Sequence, residues 1–219
     1  CYDKAYTRAY TTEVVQGKHG VKITSHASVV AETVQKILDV TITWKIEAAG
    51  KIDADIAVTK DDEFPDLPRF GVRMFLDKKL SAVRYFGMGP QESYCDKHQA
   101  ASHGLYQANV DDLHEDYIRP QENGSHYDCE YVELNNSRYG IVVSAENAFS
   151  FNASYYTQEE LEEKTHNYEL IESDSIVFCV DYALNGIGSN SCGPVVLEQY
   201  RFDDVLFRFQ FTLIPYVKG

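Results

Sequence analysis

The chain's 34 acidic side chains supply the groups most suited to general acid–base work, and two short stretches set carboxylates among other polar groups beside rigid turns. The first is Gly87-Met88-Gly89-Pro90-Gln91-Glu92-Ser93-Tyr94-Cys95-Asp96. Two glycines and a proline end any regular element there, and Gln91, Glu92, Tyr94 and Asp96 follow with an amide, two carboxylates and a phenol. Such groups orient a loop or contact a polyol; the plainer alternative is a solvated turn whose acids bind nearby backbone amides. The second stretch is Pro120-Gln121-Glu122-Asn123-Gly124. Glu92 with Asp96, or Glu122 with Asp128, would be the carboxylate pairs, and His126 with Glu122 or Glu130 a mixed acid and base.

A third stretch, Gly186-Ile187-Gly188-Ser189-Asn190-Ser191-Cys192-Gly193-Pro194, has the composition of a tight loop carrying small polar side chains. Ser189, Asn190 and Ser191 could bond hydroxyl groups, and a β-turn with a buried thiol is the alternative. The seven histidines, at 19, 26, 98, 103, 114, 126 and 166, form no metal-binding motif. His98 and His103 are too badly spaced to share an ion on a helix, so no metal site is expected. Asn123-Gly124-Ser125 and Asn152-Ala153-Ser154 match a glycosylation acceptor pattern that turns explain better.

Composition narrows the partners. A formal net charge of −14 argues against nucleic acid and anionic membranes, which need a basic face. It is compatible with a neutral sugar. The five cysteines, at 1, 95, 129, 179 and 192, contain no C-x-x-C pair and cannot all pair within the chain, which argues for a reducing compartment and against a disulfide framework. No apolar run approaches a membrane span and the N-terminus shows no basic-then-apolar leader, while a first residue of Cys rather than Met suggests an excised or processed chain; a cytoplasmic location is expected.

The elements that must position these residues read as strands. A hairpin spans 11–30 around Gly17-Lys18-His19-Gly20. Ile42, Trp44 and Ile46 alternate with polar residues, as do Ile52, Ala54, Ile56 and Val58 beyond a glycine turn, which predicts a second hairpin with Trp44 in its core. Strands follow at Phe70 to Leu76, Ser81 to Phe86, Tyr127 to Val132, Tyr139 to Ser144, Phe149 to Tyr155 and Ser175 to Tyr182. From Val205 the alternation Val205, Phe207, Phe209, Phe211, Leu213 is the cleanest in the chain. Tyr2, Tyr6 and Tyr10 would line a helix face or belong to a ragged end. Lys97 to Ser102 is helix-compatible, with a loop onward to Arg119. One short helix, Gln158 to Lys164, is predicted behind Thr157, with Glu160 completing a capping box. A length of 219 residues suits one well-buried domain. About a dozen strands and one helix imply an antiparallel two-sheet sandwich, an all-β fold.

The three stretches, together with Tyr155-Tyr156-Thr157-Gln158-Glu159-Glu160-Leu161 and Thr165-His166, give four segments in order. In that order and spacing they resemble the C-terminal domain of the large bacterial β-galactosidases of glycoside hydrolase family 2, which also occurs as the small subunit of two-chain β-galactosidases. The resemblance runs from about Leu67 to the C-terminus and thins before Trp44. It implies an antiparallel supersandwich, galactose mutarotase-like, over 1–219, lacking the family's first strands and so exposing a sheet edge. It implies a role completing the active site of a separate catalytic barrel, in cis or as a large subunit, for retaining hydrolysis of terminal β-D-galactosides such as lactose. The family's two catalytic glutamates lie on that barrel, so no catalytic residue is expected here and the chain alone would be inactive. No cofactor is expected in this chain; magnesium, and sodium with it, belongs to the full enzyme.

Carried onto this sequence, the resemblance makes Ser189, Asn190, Ser191 and Cys192 substrate-binding residues. Cys192 falls where the family presents a tryptophan, in a loop one residue shorter, so ring stacking is lost. Gly89, Pro90, Gln91, Glu92, Glu122, Asn123 and His166 become loop-organising residues, and Arg69 a partner for an acid in those loops. Two other readings stay open: a free-standing carbohydrate-binding module using exposed tyrosines, and a mutarotase-like isomerase using His126 with Glu122 or Glu130.

Overall fold

The computed structural model describes residues 2–33, 35–188 and 195–218. The described chain is antiparallel β-structure with one short α-helix. Its strands are β1 (Tyr6–Gly17), β2 (Gly20–Val30), β3 (Lys36–Glu47), β4 (Ile52–Lys60), β5 (Arg69–Asp77), β6 (Ala82–Gly89), β7 (Ser102–Asn109), β8 (Ser125–Asn135), β9 (Tyr139–Ser154), β10 (Ser175–Leu184) and β11 (Leu206–Val217), with α1 at Gln158–Glu163. The residues group into two compact units, 1–66 with 143–146 and 203–215, and 67–142 with 147–202 and 216–219.

In the first unit the order is β1-β2-β3-β4-β11. Period-two alternation fixes the register. Ile23 faces Trp44, Trp44 faces Ala54, and Ala54 faces Phe211, so one face collects the apolar side chains. Ala54, Ile56, Val58, Phe207, Phe209, Phe211 and Leu213 are buried. Trp44 is half-buried on that face, edge-on to Phe211 with ring centroids 6.2 Å apart. β1 lies at the end of the order, and all of its residues are exposed. The tyrosine spacing at 2, 6 and 10 makes neither a helix face nor a ragged end: Tyr6 opens β1, which pairs along its length with β2. Thr7, Thr11, Thr12, Val14 and Val15 suit a strand, and that preference outweighs the four-residue spacing.

The second unit holds the order β9-β8-β6-β7, with β10 pairing β9 on one side and β5 on the other. Its buried side chains include Tyr85, Val132, Leu134, Phe151, Ile176 and Phe178. Two expectations change here. Residues 97–102 are not a helix: a β-bridge joins Tyr94 and Lys97, and β7 then starts at Ser102, inside the stretch expected to be loop. Gly104, Tyr106 and Ala108 are its half-buried positions, too small or too polar a set to stand out as a strand. The two strands expected at Tyr139 to Ser144 and Phe149 to Tyr155 are one, β9.

α1 starts where expected, with Thr157 Oγ1 accepting the Glu160 N–H at 3.1 Å. The reciprocal half of a capping box is replaced: Glu160 Oε1 accepts the Ile171 N–H at 2.8 Å, so this carboxylate ties down the following loop rather than the helix start.

Candidate functional site

Glu92 is the hub of the second unit's loops. It follows the strand-ending turn at Gly89-Pro90, where a Cβ on Gly89 would run into the Tyr85 hydroxyl and the Tyr106 ring, so only glycine permits the approach. Its side chain is buried and both of its oxygens accept hydrogen bonds. Oε1 accepts from the Lys97 ammonium and the Tyr117 hydroxyl, and Oε2 accepts the Gly124 N–H at 2.8 Å. Burial pushes this carboxyl up, but Lys97, Tyr117 and the Gly124 amide outweigh it and hold it below the ordinary glutamate value.

The partner stretch is built to meet it. Gly124 has φ +71°, a left-handed conformation that turns its N–H toward Glu92. Asn123 is buried: its Oδ1 accepts the Glu115 N–H at 3.1 Å, its Nδ2 donates to Gln121 O at 2.9 Å, and its own carbonyl accepts from Asn152 Nδ2 at 2.6 Å. Both asparagines of the glycosylation patterns are thus enclosed and engaged. Ser93 completes the seam. Its N–H donates to Ser125 O at 2.7 Å, and its hydroxyl accepts the Tyr127 N–H at 2.9 Å while donating to Met88 O at 3.2 Å.

A second cluster centres on Arg69. Its Nε and Nη2 donate to Asp181 Oδ1 and Oδ2 at 3.1 and 2.7 Å, a bidentate pair, and Nη1 donates to Glu122 Oε2 at 3.3 Å. The expected pairing of Arg69 with a loop acid is therefore present, with the β10 residue Asp181 as the stronger partner. Asp181 is fully buried. Burial pushes its carboxyl up and Arg69 pulls it back. Glu122 is also raised by burial, against the pull of Arg69, with Asp181 and Glu92 adding to the rise. Although the Glu122 side chain retains 30% of its surface, Oε1 is enclosed without a hydrogen-bond partner of ordinary geometry, beside the Tyr94 phenol.

An open cavity of about 450 Å³ is lined by Gln91, Glu92, Asp96, Lys97, Glu115 and Tyr117 among others. Asp96, on its wall, takes the Ile187 and Gly188 amides at 3.1 and 2.8 Å. Gln91 is exposed. His166 organises only its own turn, with Nδ1 2.9 Å from Thr165 Oγ1 and its ring stacked on Tyr168. The expected substrate-binding residues Ser189, Asn190, Ser191 and Cys192 lie outside the described residues.

None of the paper acid–base pairs forms. Glu92 and Asp96 turn to different partners. Asp128 sits 4.0 Å from His103, not at Glu122. His126 is 1% exposed, packed against Tyr85 and Phe151 with ring centroids 4.5 and 5.0 Å away, and burial lowers its pKa to about 4; Glu130 is exposed. Sequence reasoning missed Ser93, Lys97, Tyr117 and Asp181 as organising residues. Asp181 carried a signal, a lone acid continuing the apolar run Ile176 to Val180. Among the described residues no three His, Cys, Asp or Glu side chains group as a metal would require.

Comparison with known proteins adds the lineage. The model of the β-galactosidase small chain matches residues 2–213. The chain belongs to the β-galactosidase small-chain family. It is 48% identical over 213 residues to a β-galactosidase of Actinobacillus pleuropneumoniae, covering 97% of this chain and 21% of that protein. A Staphylococcus xylosus β-galactosidase is 35% identical over 212 residues, with the same coverage of 97% and 21%. A galactose mutarotase related enzyme from Lactobacillus acidophilus superposes at TM-score 0.45 with 12% identity, covering 94% of this chain and 71% of its own. This member of the small-chain family thus spans about a fifth of the length of the curated relatives it matches.

Proposed function

We propose that this chain is the C-terminal domain or small subunit of a β-galactosidase and that it completes the active site of a catalytic barrel elsewhere in the same enzyme. The whole enzyme would hydrolyse terminal β-D-galactosides such as lactose with retention. The observation that carries this reading is the state of the acids. Retaining hydrolysis uses two carboxyl groups about 5 Å apart, one to attack and one to pass a proton. In this chain Glu92 accepts three hydrogen bonds that hold loops, and Asp181 is held bidentate by Arg69 between the paired strands β10 and β5, so both serve as structural ties. The catalytic pair, with its magnesium and sodium, is then assigned to the barrel, and substrate positioning to the stretch Ser189 to Cys192. The free thiols Cys95, Cys129 and Cys179 fit the cytoplasmic location we assign.

The enclosure of His126 disfavours the isomerase reading, since a general base must reach its substrate. The test is hydrolysis of a chromogenic β-galactoside by the chain alone and mixed with a family 2 β-galactosidase lacking its C-terminal domain. Activity is expected only in the mixture and should fall when Cys192 or Asn190 is changed. Activity of the chain alone would refute the completing role, and silence in both would favour a carbohydrate-binding module.

A further inference from the structure

We propose that the ridge at residues 117–119 is the surface on which the catalytic barrel of the same β-galactosidase docks, with Ile118 as the anchoring side chain. The proposal rests on the reading that this chain, about a fifth of its relatives' length, works as one part of a larger galactosidase. Ile118 is 97% exposed, the highest value of any large apolar residue described. A lone exposed isoleucine is ordinary on a loose loop, and this loop is not loose. Tyr117, half-buried, donates its hydroxyl to Glu92 and accepts from the Lys97 ammonium at 2.6 Å, while its N–H donates to Glu115 O at 2.9 Å. On the other side Pro120 is buried, and Asn123 ties Gln121 O to the Glu115 N–H. Ile118 therefore stands on a support fixed at both ends, and a partner that covers it orders little new backbone.

Hollows flank the ridge. Tyr117 lines the cavity that also holds Glu92 and Lys97, whereas Arg119 and Pro120 line a second open cavity, of about 430 Å³, with Glu122, Gln158 and Leu161 among others. An apolar tip between two hollows leaves room on each side for the rim of a socket, the arrangement in which a buried anchor contributes most to binding. Arg119 is exposed and makes no hydrogen bond or ion pair among the described residues. The partner surface therefore offers an apolar socket to Ile118 and, beside it, a carboxylate or carbonyl to Arg119. A second copy of this chain fits less well. Two chains of net charge −14 repel, and a twofold contact centred on Ile118 would set Arg119 near its own copy.

The experiment is hydroxyl-radical footprinting of the full β-galactosidase carrying this chain, with modification at Ile118 read by mass spectrometry in the folded and in the urea-unfolded enzyme. Ile118 should react at least about tenfold more slowly in the folded enzyme, as a desolvated anchor must, and Phe178, buried in the core, reports that the enzyme is folded. Equal rates at Ile118 with Phe178 protected overturn the proposal. The partner is read from an Ile118→Leu enzyme carrying photoreactive leucine. A cross-link from position 118 to the enzyme outside these 219 residues is expected, and one to a second copy of this chain overturns the assignment. Ile118→Asp should lower the urea midpoint for loss of galactosidase activity and Ile118→Leu should not; a midpoint unchanged in Ile118→Asp overturns the anchor. An unsubstituted full enzyme without galactosidase activity sinks the functional reading alone, because the footprint and the cross-link do not depend on turnover.

Discussion

Replacing Arg69 by Met tests whether the acids of the second unit depend on one guanidinium. Arg69 makes two hydrogen bonds to Asp181 and one to Glu122, and the Asp181 side chain is 2% exposed. Removing one partner of a buried pair costs about 3–5 kcal/mol, because the other charge is left desolvated and unpaired. Arg69 and Glu122 keep 22% and 30% of their side-chain surface, and water can reach them, so the lower figure, about 3 kcal/mol, applies. The sign of the pH dependence follows from the acids. Both are raised by burial even with Arg69 present. A carboxyl whose folded pKa exceeds its unfolded value contributes stability that is present below the unfolded pKa and lost as pH rises through the folded one. Without the guanidinium that rise is larger, so the difference between parent and Arg69→Met should be greatest at neutral pH and shrink as pH falls and Asp181 protonates. Urea unfolding at a neutral and an acidic pH reads this directly. Arg69→Met with Asp181→Leu, which removes the stranded charge along with its partner, should recover most of the loss. Equal losses at both pH values, or a double variant no more stable than the single one, would refute the reasoning.

Two further perturbations address the same unit. His126, lowered to about 4 by burial, stays neutral through a range in which the unfolded chain's histidine binds a proton. Its contribution, about 3 kcal/mol from a shift of roughly 2.5 pH units, is fully present above about pH 6.5 and lost as pH falls toward about 4; His126→Phe should flatten the urea-midpoint profile across that window, and an unchanged slope would contradict it. Gly124→Ala forces a side chain into φ +71° and against the Leu113 carbonyl. A loss of about 2 kcal/mol is expected in thermal or urea melts, and a variant as stable as the parent would show that the turn does not need glycine.

Strands announced by strict alternation were legible from sequence because one buried face demands period two: Phe207, Phe209, Phe211 and Leu213 are buried as the pattern required. Legibility failed where burial is shallow. In β7 the inward positions are Gly104, Tyr106 and Ala108, only half-buried, and no hydrophobic contrast marks them. β1 is exposed throughout; its second half was legible as the first arm of the hairpin over 11–30, and only its start, from Tyr6 to Tyr10, was hidden by the four-residue tyrosine spacing. The helix start was readable from Thr157, whereas the partner of Glu160 was not, because Ile171 reaches it through a loop.

For the candidate site, residue types in the motifs pointed to the right loops but to the wrong question about their acids. Glu92 and Glu122 sit in sequence among turns, where acids are ordinarily solvated; the Arg69 pairing was expected from the family resemblance, but nothing local says that Lys97, Tyr117 and Gly124 will converge on Glu92. That convergence explains why a loop-rich region can be held in one arrangement. Each buried carboxylate needs donors to offset its desolvation, and the donors come from four separate stretches, so filling them fixes the stretches relative to one another. Such a carboxylate is unsuited to passing protons, since every donor it would have to release is also a structural tie. The same property makes it suited to holding a neighbouring segment in place. A loop cluster in which the Glu92 acceptors are taken by donors from three stretches is therefore better suited to a supporting wall than to a catalytic centre.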